Sequence, residues 1–292
     1  MSEIPQWFWD SVETPTESAF LDVSGCEVSY RNWSEGADGK PGLLFIHGHN
    51  AHSHWWDFIA PNFKDRFQTA ALDLTGMGDS DHRDNYSNDL YADEIVGVAD
   101  ALNLPKNTYV VAHSFGGMMA IRAFANYPDR FKHLVLVDSG VRHPEDIEER
   151  EPQIERLQRR KVYPTKDVGQ SRFRLQPPQQ CENQYLVNYI ARESLEYDDD
   201  GWIWKFDEEL NSRMTMNGDL KDDLLSINAK ITLIYGEHSE SFKARSANYM
   251  KELKPSLDLI KIADAQHHLF LDQPLAFIEE LSKVIDFDLA DT

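Results

Sequence analysis

Two cysteines, Cys26 and Cys181, are all that this 292-residue chain carries. They are too few for a disulfide framework and fit a reducing compartment. Long apolar runs are missing as well. No stretch of about 18 consecutive apolar residues occurs, so no transmembrane helix is expected. The opening segment, MSEIPQWFWDSVETPTES, is acidic and lacks the basic region and apolar core of a secretory signal. The expected location is therefore cytoplasmic. Basic residues are scarce: 29 Lys and Arg stand against 50 Asp and Glu, a net charge of −21. Such a surface repels nucleic acid and anionic membranes, so neither is expected as a partner. Gly76-x-Gly78 lacks the third glycine of a dinucleotide fingerprint. No internal repeat or low-complexity segment stands out.

What is present centres on residues 107–117, NTYVVAHSFGG. A β-branched apolar run meets Ser114, with Ala112 two residues before it and Gly116 and Gly117 just after. A strand that turns sharply into a helix holds its apex residue in a strained conformation, and its neighbours must be small. The serine hydroxyl is then exposed beside a helix N-terminus, which favours negative charge. Three other strand ends matter. LLFIHGHN at 43–50 ends in His-Gly. FKHLVLVDSG at 131–140 ends in Asp138. ADAQHHLFLDQP at 263–274 places a histidine pair in a loop. A nucleophile needs a base, and the base needs an orienting acid. The three residue types follow in the order Ser, Asp, His.

The chain alternates strands with helices, which predicts an α/β fold with a mostly parallel sheet. Strands are expected at Ala19–Ser24, Glu27–Trp33, Leu43–His47, Thr69–Leu74, in the apolar run before Ser114, within 131–140 ending in Asp138, and at Ile231–Tyr235 and Leu257–Ile262. Gly36–Gly42 reads as a turn and Trp55–Phe63 as a helix. Tyr91, Ile95, Val98 and Leu102 fall on one helical face. Pro274–Val284 reads as the closing helix. Residues 141–225 break the alternation with charged, helix-prone segments and the aromatics Trp202, Trp204 and Phe206. Acidic runs at Glu145–Glu151 and Asp198–Asp200 read as solvated faces. Trp7, Phe8 and Trp9 read as a packing anchor.

HGHN at 47–50, DLTGMGDSD at 73–81, AHSFGG at 112–117, LVLVDSG at 134–140, IYGEHS at 234–239 and HHLFLDQP at 267–274 together resemble the α/β-hydrolase-fold serine hydrolases. The likeness runs from about residue 20 to the C-terminus. It implies an eight-stranded core from 1–140 and 226–292, with a helical cap at 141–225. It implies catalytic Ser114 and His267, His267 lying seven residues before Pro274 in a D-Q-P element. His268 is the competing base. The oxyanion hole is expected from the backbone N–H groups of His49 and Phe115. His47 would brace the loop from beneath, and Asp73 would bond backbone amides in its turn.

The acid is where the chain departs from the commoner pattern. Many relatives carry it three residues after the glycine ending the penultimate strand, and here that position is Ser239. A subset carries it at the earlier strand end, which is Asp138. Glu237 and Glu240 are the alternatives. Trp202 and Trp204 either line an acyl pocket or form cap core. No metal and no cofactor are expected, although His47, His49, His52 and His54 cluster in sequence. The expected partner is a small-molecule ester, cleaved through an acyl-enzyme. Carbon–carbon bond hydrolysis of a ring-cleavage diketone uses the same triad, and acyl transfer or thioester hydrolysis would fit it too. A silent, ligand-binding member of the fold is the rival from another class. Epoxide hydrolases and haloalkane dehalogenases use an elbow aspartate, which position 114 does not offer. The oligomeric state is open.

Overall fold

The computed structural model describes residues 4–34, 39–149 and 160–290. Eight strands form one sheet: β1 (Glu17–Asp22), β2 (Glu27–Asn32), β3 (Gly42–Ile46), β4 (Gln68–Leu72), β5 (Tyr109–His113), β6 (His133–Val137), β7 (Lys230–Gly236) and β8 (Asp258–Ile262). Their order is β1-β2-β4-β3-β5-β6-β7-β8. The first two strands pair antiparallel, as do β2 and β4; every later neighbour is parallel. In β3, β5 and β6 every residue is buried, as strands covered on both faces require.

Strand alternation divides the core in two. Leu44, Ile46, Val110, Ala112, Leu134 and Leu136 point to one face, where Tyr91, Ile95 and Val98 of the helix Asn88–Ala101 and Met119 of the helix Phe115–Asn126 cover them. Leu43, Phe45, Tyr109, Val111, Val135 and Val137 point to the other, against Trp56, Phe63, Phe270 and Phe277. Fully burying each Val, Leu, Ile or Phe among them is worth about 1.5–3 kcal/mol. Phe8 is buried against Phe58, Tyr185 and Tyr189, while Trp9 stays exposed.

The helix expected at Trp55–Phe63 is not a single α-helix. Two 3₁₀ turns, Ser53–Trp56 and Ala60–Phe63, replace it. Pro61 has no N–H to bond the carbonyl of Asp57, which breaks an α-helical ladder there. Residues 141–225 hold short helices, notably Lys166–Ser171 and Gln184–Glu193. They also hold an antiparallel hairpin, Leu195–Asp198 with Gly201–Trp204, that periodicity did not reveal. Leu186 and Ile190 anchor this insertion into the core beside Trp55 and Phe270. The acidic run there is not simply solvated. Glu145, Asp146 and Glu149 ion-pair with Arg245, and Asp146 is buried. Its last residues, 150–151, lie outside the described residues, as do 35–38 of the expected turn. Both cysteines are buried and unpaired. Among the described residues no helix is long and apolar enough to cross a membrane.

Candidate active site

Ser114 sits between β5 and the helix Phe115–Asn126 with φ 51° and ψ −117°. A non-glycine residue in that region is strained, and the surroundings must hold it there. They do so by close approach. A Cβ on Gly116 would lie 2.2 Å from the His47 carbonyl oxygen, and one on Gly117 would lie 2.4 Å from Ser139 Oγ. A Cβ on Gly48 would press on the His113 ring and the Ser114 Cβ. The Ser114 amide donates to the Val137 carbonyl, 3.1 Å, tying the turn to the end of β6.

His267 is delivered by the loop after β8. Its Nε2 lies 3.0 Å from Ser114 Oγ, and its Nδ1 lies 2.6 Å from Asp138 Oδ2. The His267 carbonyl accepts from His113 Nε2 at 3.1 Å, which fixes the loop over β5. Burial holds the His267 imidazole below the ordinary histidine range, so it is neutral near pH 7 and able to take a proton. His268 is turned away: its buried ring packs on Trp55 and His113, at centroid distances of 5.3 Å.

Asp138 directly follows β6 with φ 47°, fully inside the protein. Burial pushes its carboxyl up, and two donors oppose that shift. Ser239 Oγ donates to Oδ2 at 2.6 Å and the Gly236 amide donates to Oδ1 at 3.0 Å. Ser239 Oγ in turn accepts from the Phe242 amide at 3.1 Å. Sequence reasoning missed this. It treated Ser239 as the place where an acid is absent, whereas the hydroxyl there supports an acid delivered from another strand. The two glutamates do not approach His267. Glu237 pairs with Lys261 at 2.5 Å, and Glu240 is exposed at the rim of the cleft.

The His49 and Phe115 amides have no acceptor among the described residues. Phe115 is the first residue of its helix, where an unbonded N–H carries the positive end of the helix dipole. His47 supports the loop: its Nδ1–H donates to the Gly48 carbonyl at 2.7 Å and its Nε2 accepts from the Leu74 amide at 3.0 Å. Asp73 accepts from the Ser53 and Asp79 amides at 2.5 and 2.9 Å. The four early histidines do not converge. His49 bonds Asn211, His52 bonds Ser194 and His54 bonds Asp57. A different trio, His113, His267 and His268, brings ring nitrogens within 4.8 Å of one another. A metal held there would compete with the Ser114 and Asp138 bonds of His267.

Two cavities open at this edge. One, of about 700 Å³, is lined by Ser114, His267, Phe115, Met118 and Arg142. The other, of about 720 Å³, is lined by Trp55, Tyr163, Phe173, Trp204 and Phe206. His49, Asn50 and Gln176 belong to both. Trp204 therefore borders a cavity, its Nε1 donating to Tyr163 Oη at 3.2 Å. Trp202, two residues along the same strand, packs on Tyr197 beneath the Lys166 ammonium and lines neither cavity.

A family model described as the alpha/beta hydrolase fold matches residues 41–274. The chain is 27% identical over 274 residues to esterase Rv0045c of Mycobacterium tuberculosis (strain ATCC 25618 / H37Rv), covering 90% of this chain and 88% of that one. A shorter match, 32% identical over 122 residues, is to epoxide hydrolase 4 of Homo sapiens and covers 41% of this chain and 33% of that one. Among solved structures, E-2-(acetamidomethylene)succinate hydrolase superposes with a TM-score of 0.77 at 21% identity, over 93% of this chain and 100% of that one. That last likeness is one of fold.

Proposed function

The chain belongs to the α/β-hydrolase fold family, and from that premise we propose that it is a serine hydrolase cleaving small carboxylic esters through an acyl-enzyme. The observation that carries this reading is the unbroken relay from Ser114 Oγ to His267 Nε2, 3.0 Å, and from His267 Nδ1 to Asp138 Oδ2, 2.6 Å. Ser114 attacks the ester carbonyl while His267 takes its proton. The charge that develops on the carbonyl oxygen is met by the His49 and Phe115 amides. His267 then protonates the departing alcohol. Water, activated by the same imidazole, releases the acid and restores Ser114. Asp138 holds the ring by its Nδ1–H and stabilises the imidazolium. Residues 141–225 act as the cap over the site.

Serine at the elbow favours this chemistry over epoxide opening, despite the partial likeness to an epoxide hydrolase. The likeness to an esterase over 90% of the chain supports it. The test is labelling by a fluorophosphonate probe, with Ser114→Ala as control, followed by a screen of esters graded by chain length and a ring-cleavage diketone. Labelling that Ser114→Ala abolishes, with turnover of short esters, is expected. Absence of labelling favours a silent binding protein, and turnover of the diketone alone moves the reaction to carbon–carbon cleavage.

A further inference from the structure

The aromatic cavity beside the catalytic cleft has an unusual charge. In a chain with 50 acidic and 29 basic residues, four of the five Asp, Glu, Lys and Arg residues lining it are basic. They are Lys161, Arg172, Arg174 and Lys205, against Glu208 alone. Lys205 is already paired, with Asp79 at 2.5 Å. The other three have no carboxylate partner among the described residues. Arg174 donates only to the Ser171 and Phe173 carbonyls, at 3.0 and 2.6 Å. Elsewhere on this molecule arginines are typically claimed by acids: Arg83 by Glu94, Arg122 by Asp89 and Asp223, Arg245 by Asp146. The catalytic cleft itself is different. Arg142 and Lys243 are offset there by Asp146, Glu149 and Glu240.

Exposed cations without carboxylate partners, lining the same cavity as Trp55, Phe173 and Trp204, favour a ligand with an apolar body and an anionic end. The cavity volume of about 720 Å³ suits a small molecule. Its position ties it to the reaction. His49, whose amide faces the developing oxyanion in the proposed mechanism, also lines this cavity. His49, Asn50 and Gln176 line both cavities, so a substituent of a carbonyl held at that amide has the cation-lined cavity as its neighbour.

We propose that the preferred substrate is an anionic ester, its carboxylate or phosphate end held by Arg172, Arg174 and Lys161 while its apolar part lies on Trp55, Phe173 and Trp204. This rests on the serine-hydrolase reading and narrows it to a substrate class. The overall charge of −21 repels such a molecule at long range, so recognition is local and salt-sensitive.

The test compares esters that differ only in charge. The 4-nitrophenyl monoester of suberic acid is set against its methyl-capped diester, placing charge on the acyl side. The acetate ester of 4-hydroxyphenylpropionate is set against its methyl ester, placing charge on the alcohol side. At least one pair is expected to favour the anion about tenfold or more in kcat/KM at 50 mM salt, with the ratio shrinking at 500 mM. The double variant Arg172→Glu/Arg174→Glu should lower that ratio about tenfold, whereas Lys283→Glu, on the far helix, should leave it within about twofold. Phenylpropionate and phenyl phosphate, run as competitive inhibitors against neutral phenylpropanamide, distinguish the two anions by which binds tighter. Equal kcat/KM within both pairs, or a ratio indifferent to the arginine reversals, overturns the proposal. Where turnover is slow, the same comparison is read as protection of Ser114 from fluorophosphonate, and equal protection by charged and neutral members overturns it. Loss of labelling in the unmodified protein is the separate outcome that removes the serine-hydrolase reading itself.

Discussion

Asp138 has the most demanding place of any side chain at the site. It is buried, its backbone is left-handed, and three polar groups converge on its carboxylate: His267 Nδ1, Ser239 Oγ and the Gly236 amide. Replacement by Asn keeps the shape but removes the charge that stabilises an imidazolium. Asp138→Asn is therefore expected to lower kcat on the order of 10⁴-fold, measured on any ester the enzyme turns over. Glu237→Gln and Glu240→Gln should each change it less than about threefold, since neither touches His267. An essential glutamate would transfer the role. Ser239→Ala removes one donor to Asp138 and should cost an intermediate amount, about tenfold, consistent with loss of one hydrogen bond to a charged group. The pH profile follows from His267. Burial depresses its proton affinity, the Asp138 carboxylate on Nδ1 opposes that, and the neutral ring is the active form, so activity falls as pH falls. A rate that does not fall on acidification contradicts the assigned base. At this scale the sequence pointed to Ser114 and Asp138 through apolar strands that end at them, and to His267 through the histidine pair in the loop after the last strand and the spacing to Pro274 that the resemblance implies. It was silent about the hydroxyl of Ser239, whose role depends on two strands, β6 and β7, lying side by side.

Elements, not residues, set the elbow geometry. The helix Phe115–Asn126 crosses so close to the end of β3 that only hydrogen fits at Gly116. The obstructing atom is the His47 carbonyl oxygen, part of the backbone leading to His49. Gly116→Ala must push that backbone away, which moves the His49 amide as well. The expected result is destabilisation of about 1–3 kcal/mol, read as a lower melting temperature, together with a kcat loss larger than that destabilisation explains. Gly117→Ala meets the Ser139 hydroxyl instead, a side chain that can rotate, and should be milder on activity. Equal effects would mean that the two contacts are equivalent. The small residues around Ser114 were readable as a turn requirement. Their partners were not, since they come from β3 and from the segment after β6. The Trp55–Phe63 segment shows the opposite limit. Its residues Trp55, Trp56, Phe58, Ile59, Ala60 and Phe63 are all buried, so no amphipathic period marked it, and Pro61 decided its conformation.

Across the whole molecule, parallel strands bring Ser114, Asp138, His267 and His49 to one edge of the sheet, although 218 positions separate the first and last of them in sequence. That convergence was legible, because alternating strands and helices fix which ends share an edge. The insertion at 141–225 follows no such rule, and its aromatic side chains had to be located by packing. Trp202 and Trp204 differ by two positions on one strand, yet only Trp204 meets Phe173, Tyr163 and the cavity. Trp204 is only half-buried, and its ring is a wall more than a core element. Trp204→Ala should therefore enlarge the cavity and shift chain-length preference toward longer or bulkier esters. The check is kcat/KM across a graded ester series beside the melting temperature. The variant should alter the rank order of substrates several-fold with little change in melting. Trp202→Ala, at a residue that lines neither of the two cavities, should leave the rank order intact. A uniform fall across the series that tracks a lowered melting temperature would instead make Trp204 part of the insertion's own core.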